Sequence, residues 1–170
     1  MLIREEKPED IAGIRAVVSA AFGRPAEADI VDALRQRAQP FVSLVAEHEG
    51  EVVGHILFTP VAFSGNGDMK IAALAPMAVA PQFQVRGVGA ALVLTGFEHL
   101  RLLGMSAVVV IGHPSYYPRF GFSPGSSFGL KSEYNVPDDV FMACELDPGA
   151  LAGVTGTVSY HPAFRETQQH

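Results

Sequence analysis

The sequence predicts an α/β fold with a mixed sheet. Three observations carry this. Apolar, β-prone runs alternate with stretches of helical periodicity. The run 69–79 is nearly all apolar, as in a strand buried on both faces. The helical stretch that follows leads into a second such run, Ala107–Ile111, and a right-handed crossover would make the two strands parallel. The predicted order is strand, two helices, three strands, helix, strand, short helix, strand.

Leu2–Glu5 is a short strand candidate. Pro8, Glu9 and Asp10 then open a helix, with proline in the first turn and acid where the dipole favours it. Ile11, Ile14, Val18 and Phe22 follow at helical spacing, and Gly23-Arg24-Pro25 breaks the helix. A second helix carries Ile30, Val31, Leu34 and Ala38 and stops at Pro40. Residues 41–48 and 51–63 read as strands joined tightly at Glu49-Gly50. Ser64-Gly65-Asn66-Gly67-Asp68 is a turn. Pro76 sits inside the strand 69–79, where it has no N–H for a ladder, so a bulge or a locally unpaired edge is expected. A helix over 86–103 aligns Val88, Leu92, Gly96, Leu100 and Leu103 on one stripe, with Gly104 at its C′ position. After Ala107–Ile111, residues 112–118 form a loop into a short helix. Residues 122–130 read as loop and short strand, 140–146 as a strand, and 153–160 as β-prone but ambiguous.

With 170 residues, 48% of them hydrophobic and 18% charged, the chain is the size of one domain and can bury a substantial core. The formal net charge of −6 speaks against a nucleic-acid backbone partner and is compatible with a cationic amine. A single cysteine, Cys144, allows no intrachain disulfide and reads as core. Arg4, Glu5, Glu6 and Lys7 interrupt any apolar leader, and no run is long enough to span a bilayer. A cytoplasmic protein with no membrane partner is expected. His48, His55, His99, His113, His161 and His170 show no paired ligand spacing, so no metal is expected. No Gly-x-Ser-x-Gly elbow, P-loop ending or dinucleotide fingerprint is present.

The stretch from Pro76 to Leu92 holds the strongest signal. Gly87 and Gly89 let the backbone approach a ligand closely. The first N–H groups of a helix have no partner within it and, with the helix dipole, suit phosphate. Arg86 adds a fixed charge with donors shaped for phosphate oxygens. A bare Gly-x-Gly reads sooner as a close helix–sheet contact. The fuller string Gln84-Val85-Arg86-Gly87-Val88-Gly89, after a Val-x-Pro strand end, resembles the Gln/Arg-x-x-Gly-x-Gly/Ala loop of the GNAT superfamily of N-acetyltransferases. Within that superfamily the chain looks like the YhbS-like branch of predicted acetyltransferases.

The resemblance implies the GNAT fold as a single domain over 1–170: a mixed, mostly antiparallel central sheet with a splayed parallel strand pair and helices on both faces. It implies acetyl-coenzyme A (acetyl-CoA) as acyl donor, with its pyrophosphate on the amides of Arg86, Gly87, Val88, Gly89 and Ala90, in a loop with Gln84 and Val85. The pantetheine arm would lie beside the backbone of Met77, Ala78 and Val79 like an added strand. A second motif, Ser115-Tyr116-Tyr117-Pro118-Arg119-Phe120-Gly121-Phe122, is similar to the family's aromatic-Tyr-x-Lys/Arg-x-Gly-Phe segment and puts Tyr117 near the thioester sulfur. Read without the resemblance, Tyr117 is sooner an interface tyrosine that packs and hydrogen-bonds; with both motifs in place the catalytic reading is preferred, Tyr116 is the lesser substitute, and Arg119 is either a phosphate contact or a solvated cation. The family's strand glutamate is missing. The candidate bases are His113, His55, a water chain and, more remotely, Glu47. The acceptor, a small-molecule or protein amine, would face the turn 22–27 and the loop 123–138, which hold Arg24, Lys131, Glu133, Tyr134 and Asp138. A homodimer is compatible with the resemblance. A coenzyme A sensor without transfer activity, a protein-interaction domain and transfer of a longer acyl chain remain as alternatives.

Overall fold

The computed structural model describes residues 1–168, so His170 lies outside the described residues. Strand β1 (Leu2–Glu5) leads through a 3-10 turn at Pro8–Asp10 into α1 (Ile11–Phe22). The Asp10 carboxylate accepts the Lys7 N–H at 2.7 Å and the Arg4 guanidinium at 2.7 and 3.0 Å, and so pins the turn to the sheet. Gly23 stops α1 at φ 71°, a left-handed conformation that glycine adopts without strain. Helix α2 (Ala26–Arg37) follows, with Glu27 and Asp29 in its first turn and Arg35 and Arg37 in its last, as the helix dipole favours.

Strands β2 (Val42–His48) and β3 (Glu51–Pro60) form a hairpin. Its two turn residues, Glu49 and Gly50, both have positive φ (51° and 80°), as a tight twisted hairpin requires. The expected strand 51–63 divides after Pro60. Residues from β4 (Ala62–Gly65) leave the main sheet and pair elsewhere. Strand β5 (Ile71–Val79) returns antiparallel to β3, α3 (Val88–Leu102) crosses over, and β6 (Ala107–Ile111) lies parallel to β5. Strands β7 (Ser123–Pro124), β8 (Leu130–Ser132), β9 (Phe141–Glu145) and β10 (Gly156–Ser159) precede α4 (Ala163–Gln168).

The main sheet runs β1-β2-β3-β5-β6-β9-β7, antiparallel except at β5/β6, and a small sheet runs β4-β10-β8. The ambiguous segment 153–160 is thus the middle strand of that small sheet. Side chains alternate across the main sheet as the pleat requires. On β6, Ala107 and Val109 join the core under α1 and α2, while Val108 and Val110 join the core under α3. Helix α3 sits very close to the sheet: a Cβ on Gly96 would lie 2.2 Å from the Phe58 ring of β3.

Two features of β5 shape the site. It pairs with β6 only at Ile71↔Ala107, Ala72↔Val108 and Ala73↔Val109, after which the strands part. On its other edge, Met77 opposes Ile56 and Leu74 opposes Phe58, so Ala75 and Pro76 together face Leu57. This is the bulge that Pro76 leads one to expect.

Candidate functional site

The parting of β5 and β6 opens two cavities that share Met77 as a wall. The first, about 390 Å³, lies between Leu74–Met77 (74–77) and 110–113 and is closed by Tyr117, Phe164 and residues Phe22, Glu27 and Ile30 from the α1–α2 region. The second, about 540 Å³, lies at the start of α3 and is lined by Met77, Val79, Phe83, Gln84, Val85, Gly87, Gly89, Ala90, Tyr116 and Arg119.

The loop into α3 explains the second cavity. Val85 (φ 61°) and Gly87 (φ 83°) are both left-handed, so the helix begins at Val88 and not at Arg86 as the periodicity suggests. At its far end it closes at Leu102, one residue short of the predicted 103. The first bond characteristic of α3 here is Ala91 N–H to the Gly87 carbonyl at 3.0 Å, which leaves the N–H groups of Val88, Gly89 and Ala90 ahead of it. The Val88 side chain is buried beneath α3, so only its backbone could serve the cavity. Gly89 has the Tyr116 hydroxyl 2.9 Å and Met77 atoms 3.6–3.7 Å from the place a Cβ would take. The Gln84 side chain donates to the Val79 carbonyl at 3.0 Å and folds the loop back onto β5. Arg86 does not line the cavity. It is exposed, with its guanidinium 5.9 Å from the Phe83 ring centre. Ala78 points to the opposite face, into the core under α1 and α2.

The two tyrosines divide between the cavities. Tyr117 lines the first, its ring against Gly112, where a Cβ would come within 2.5 Å of Cε2. Phe122 meets it edge-on at 5.7 Å and Tyr116 at 5.1 Å. Burial pushes the Tyr117 hydroxyl up to about 12, and neighbouring Tyr116 adds to the effect. Tyr116 lines the second cavity, where Arg119 stacks over its ring at 4.4 Å and donates from Nε to its carbonyl at 2.9 Å. Arg119 is therefore anchored at the rim of that cavity. Nothing in the motif assigns Tyr116 to the second cavity, because the two residues are adjacent and only the turn geometry separates them.

His113 lines the first cavity beside Tyr117. His55 does not reach it. It is fully buried under α2, with Nε2 2.8 Å from the Ser43 hydroxyl, in a network that continues through Glu6 to Arg35. Ser43 also donates to Glu6. Burial pushes His55 down to about 4, and Glu6 and Arg35 act on it in opposite senses. Glu47 is engaged by Arg4 at 3.2 Å. Among the acceptor-side candidates, Glu133 accepts the Tyr160 N–H at 2.8 Å and Arg165 at 2.5 Å, while Lys131 and Asp138 are exposed. Glu27, which sequence reasoning left as a segment end, is the carboxylate that reaches the first cavity. Its signal was available: Glu27 stands three, four and seven positions before the buried Ile30, Val31 and Leu34 and so begins their apolar stripe. Among the described residues no group of three or more His, Cys, Asp or Glu could hold a metal ion, and no helix is long and apolar enough to cross a membrane.

The family profile described as "Acetyltransferase (GNAT) domain" matches residues 2–125. The uncharacterised N-acetyltransferase YjhQ of Escherichia coli strain K12 is 46% identical over 134 residues, 76% of this chain and 74% of its own length. The crystal structure of the GNAT family N-acetyltransferase YhbS from Escherichia coli, solved in complex with CoA, superposes with a TM-score of 0.89 at 35% identity, over 96% of this chain and 91% of that one. A GNAT family acetyltransferase from Brucella melitensis, solved with acetyl-CoA, gives a TM-score of 0.78 at 37% identity, over 96% and 97% of the two chains.

Proposed function

The chain belongs to the GNAT family of N-acetyltransferases, and on that footing we propose that it moves the acetyl group of acetyl-CoA directly onto a primary amine. The observation that carries this reading is the meeting of two cavities at Met77, one rimmed by helix N–H groups and the other by Tyr117. The second cavity fits the donor on its own chemistry. The N–H groups of Val88, Gly89 and Ala90 and the dipole of α3 suit a pyrophosphate, and Arg119 adds a cation at the rim. Gly89 leaves room for a chain to pass Tyr116. Beyond Ala73, the edge of β5 that faces β6 pairs with no strand, and with only the Val79 carbonyl engaged by Gln84 it suits the amide groups of a pantetheine arm at Met77 and Val79.

Acetyl-CoA supplies an activated acetyl thioester. The protein supplies position and protons. The acceptor amine, with an ordinary pKa of about 10.4, must lose one proton before its lone pair can attack. His113, exposed at the mouth of the first cavity, is placed to pass that proton to solvent. As the C–N bond forms and the C–S bond breaks, the nitrogen loses a second proton and the departing sulfur gains one, so a single proton is released overall. The Tyr117 hydroxyl steadies the departing sulfur. A phenol at about 12 lies far above a thiol near about 8.5, and complete transfer would be uphill by about 5 kcal/mol. Tyr117 therefore acts as a neutral hydrogen-bond donor whose bond strengthens as charge develops. Cys144 lines neither cavity, and burial pushes its thiol up, which favours direct transfer over an acetyl-enzyme.

The test pairs calorimetric titration of acetyl-CoA with release of free thiol in the presence of an amine panel. Saturable binding with amine-dependent thiol release is expected. Absence of acetyl-CoA binding would overturn the reading.

A further inference from the structure

The turn after β6 carries two tasks on nearby residues. Tyr117 opens a 3-10 turn, Tyr117–Phe120, and Arg119 lies in the same turn. Tyr117 lines the first cavity, and Arg119 is the one charged side chain among the residues that line the second. Among the described residues no hydrogen bond holds the Tyr117 hydroxyl. Its place depends on the ring, and the ring leans on Gly112, Phe122 and Tyr116.

Tyr116 connects the two cavities. Its ring meets Tyr117 edge-on at 5.1 Å and Phe120 at 5.4 Å, and the Arg119 guanidinium stacks over it at 4.4 Å. Its hydroxyl lies against Gly89 at the start of α3. Arg119 Nε donates to the Tyr116 carbonyl at 2.9 Å, which ties the guanidinium to the backbone that carries Tyr117. Nη1 and Nη2 have no acceptor among the described residues. A guanidinium committed at Nε still presents a planar fork of donors, a shape that takes two oxygens of one phosphate. The backbone of the turn has few bonds of its own. Pro118 has no N–H, the Tyr117 N–H reaches the His113 carbonyl at 3.4 Å, and the Gly121 N–H closes onto the Pro118 carbonyl at 3.0 Å. An anion held by Arg119 would give the turn a further anchor.

We propose that Arg119 is a positioning residue for the acetyl transfer: it grips a phosphate of the donor and, through Tyr116, fixes the Tyr117 hydroxyl beside the thioester sulfur. The proposal rests on the acetyl-transfer reading above and adds a link between the phosphate end of the donor and its reacting end. Binding energy gained far from the reacting bond is thereby used at it. The link has leverage, because a displacement of about 1 Å can cost about a hundredfold in rate.

The experiment separates binding from turnover in Arg119→Ala, Arg119→Lys, Tyr117→Phe and the double variant of Arg119→Ala with Tyr117→Phe. It uses acetyl-CoA and the amine of the panel that wild type acetylates fastest. In Arg119→Ala the Kd for acetyl-CoA should rise about tenfold or more by loss of a charged hydrogen bond. Its kcat at saturating donor should also fall about tenfold or more. Arg119→Lys restores the charge but neither the fork nor the bond to the Tyr116 carbonyl. It should recover most of the affinity and little of kcat. The double variant should match the kcat of Tyr117→Phe, since both residues act through one hydroxyl. An unchanged kcat in Arg119→Ala, recovery of kcat in Arg119→Lys, or losses that multiply in the double variant overturns the proposal.

A second measurement needs no acceptor. The protein is labelled with 3-fluorotyrosine, and the Tyr117 fluorine signal is assigned from Tyr117→Phe. The probe is 3′-phospho-ADP, the part of CoA that carries its phosphates without the pantetheine arm. It should move the Tyr117 signal in wild type and leave it in place in Arg119→Ala. ADP acts alike if the grip is on the pyrophosphate and does not if it is on the 3′-phosphate, and either result supports the link. Absence of 3′-phospho-ADP binding by calorimetry, or binding to wild type with an unmoved signal, overturns it. Failure of acetyl-CoA itself to bind wild type marks instead the failure of the acetyl-transfer reading.

Discussion

Replacing Tyr117 by Phe removes one hydroxyl and keeps the ring that packs against Gly112 and Phe122. A hydrogen bond to a charged partner contributes about 1.5–3 kcal/mol, so kcat should fall by about 10- to 150-fold. Removal of a single donor from a preorganised site can cost more, about a hundredfold to a thousandfold. The loss should appear in kcat, because the bond strengthens only as negative charge collects on sulfur. The Kd for acetyl-CoA should stay within about twofold of wild type, as uniform binding is not touched. Burial supplies a second, sharper expectation. With the hydroxyl pushed up to about 12, Tyr117 keeps its proton throughout the range in which the enzyme can be assayed. At pH 10 only about 1% of such a group is ionised, whereas a phenol at its ordinary value of about 10 would be half ionised. The ratio of wild-type to Tyr117→Phe kcat, followed by thiol release, should therefore be constant from pH 7 to pH 10. A ratio near one would remove Tyr117 from the chemistry. A ratio that declines with a midpoint near 10 would show an ordinary, solvated phenol and refute the argument from burial.

Gly112→Ala places a methyl 2.5 Å from Tyr117 Cε2 and forces the ring to move. Its kcat should fall by about the same factor as that of Tyr117→Phe, and the double variant should lose little more. Gly89→Ala puts a methyl 2.9 Å from the Tyr116 hydroxyl at the start of α3. Acetyl-CoA should bind at least about tenfold more weakly by calorimetry, with the melting temperature of the free protein nearly unchanged, since the tip of a half-buried tyrosine can shift. His55 bears on stability and not on turnover. Its folded value of about 4 lies below the ordinary 6.5, so the unfolded chain binds more protons between those limits and stability falls as pH falls through them. Between pH 7.5 and pH 5 this costs about 2 kcal/mol. Urea unfolding should show that loss in wild type in excess of His55→Gln, and equal losses in the two would refute it.

What was legible in the sequence was what local chemistry decides. Gly87 needs positive φ, Gly89 needs the absence of a Cβ, and Pro76 cannot donate to a ladder; each requirement belongs to a residue type, so each could be read from one chain. The stripes of α1 and α2 followed from their period. What was not legible depends on partners distant in sequence. The pairing of β4 with β10 joins Ala62 to Ser159, and no pattern within either four-residue strand specifies the other. His55 looked like a candidate base because a histidine within a strand carries no label for the face it occupies. Its neighbours Ser43 of β2, Glu6 of the connection after β1 and Arg35 of α2 are distant in sequence and hold it in the core. Glu27 is the instructive case between these. Its place at the head of an apolar stripe was readable, and such a placement is unfavourable for a carboxylate unless something receives it. Arg24, three residues earlier, would account for the charge but not for the side chain's turning inward, because an arginine that is itself exposed can pair with a glutamate on the outer face at no desolvation cost. A carboxylate kept largely enclosed beside Phe22 and Ile30 is a local conflict that core packing does not explain, and conflicts of that kind collect where a chain binds something other than itself.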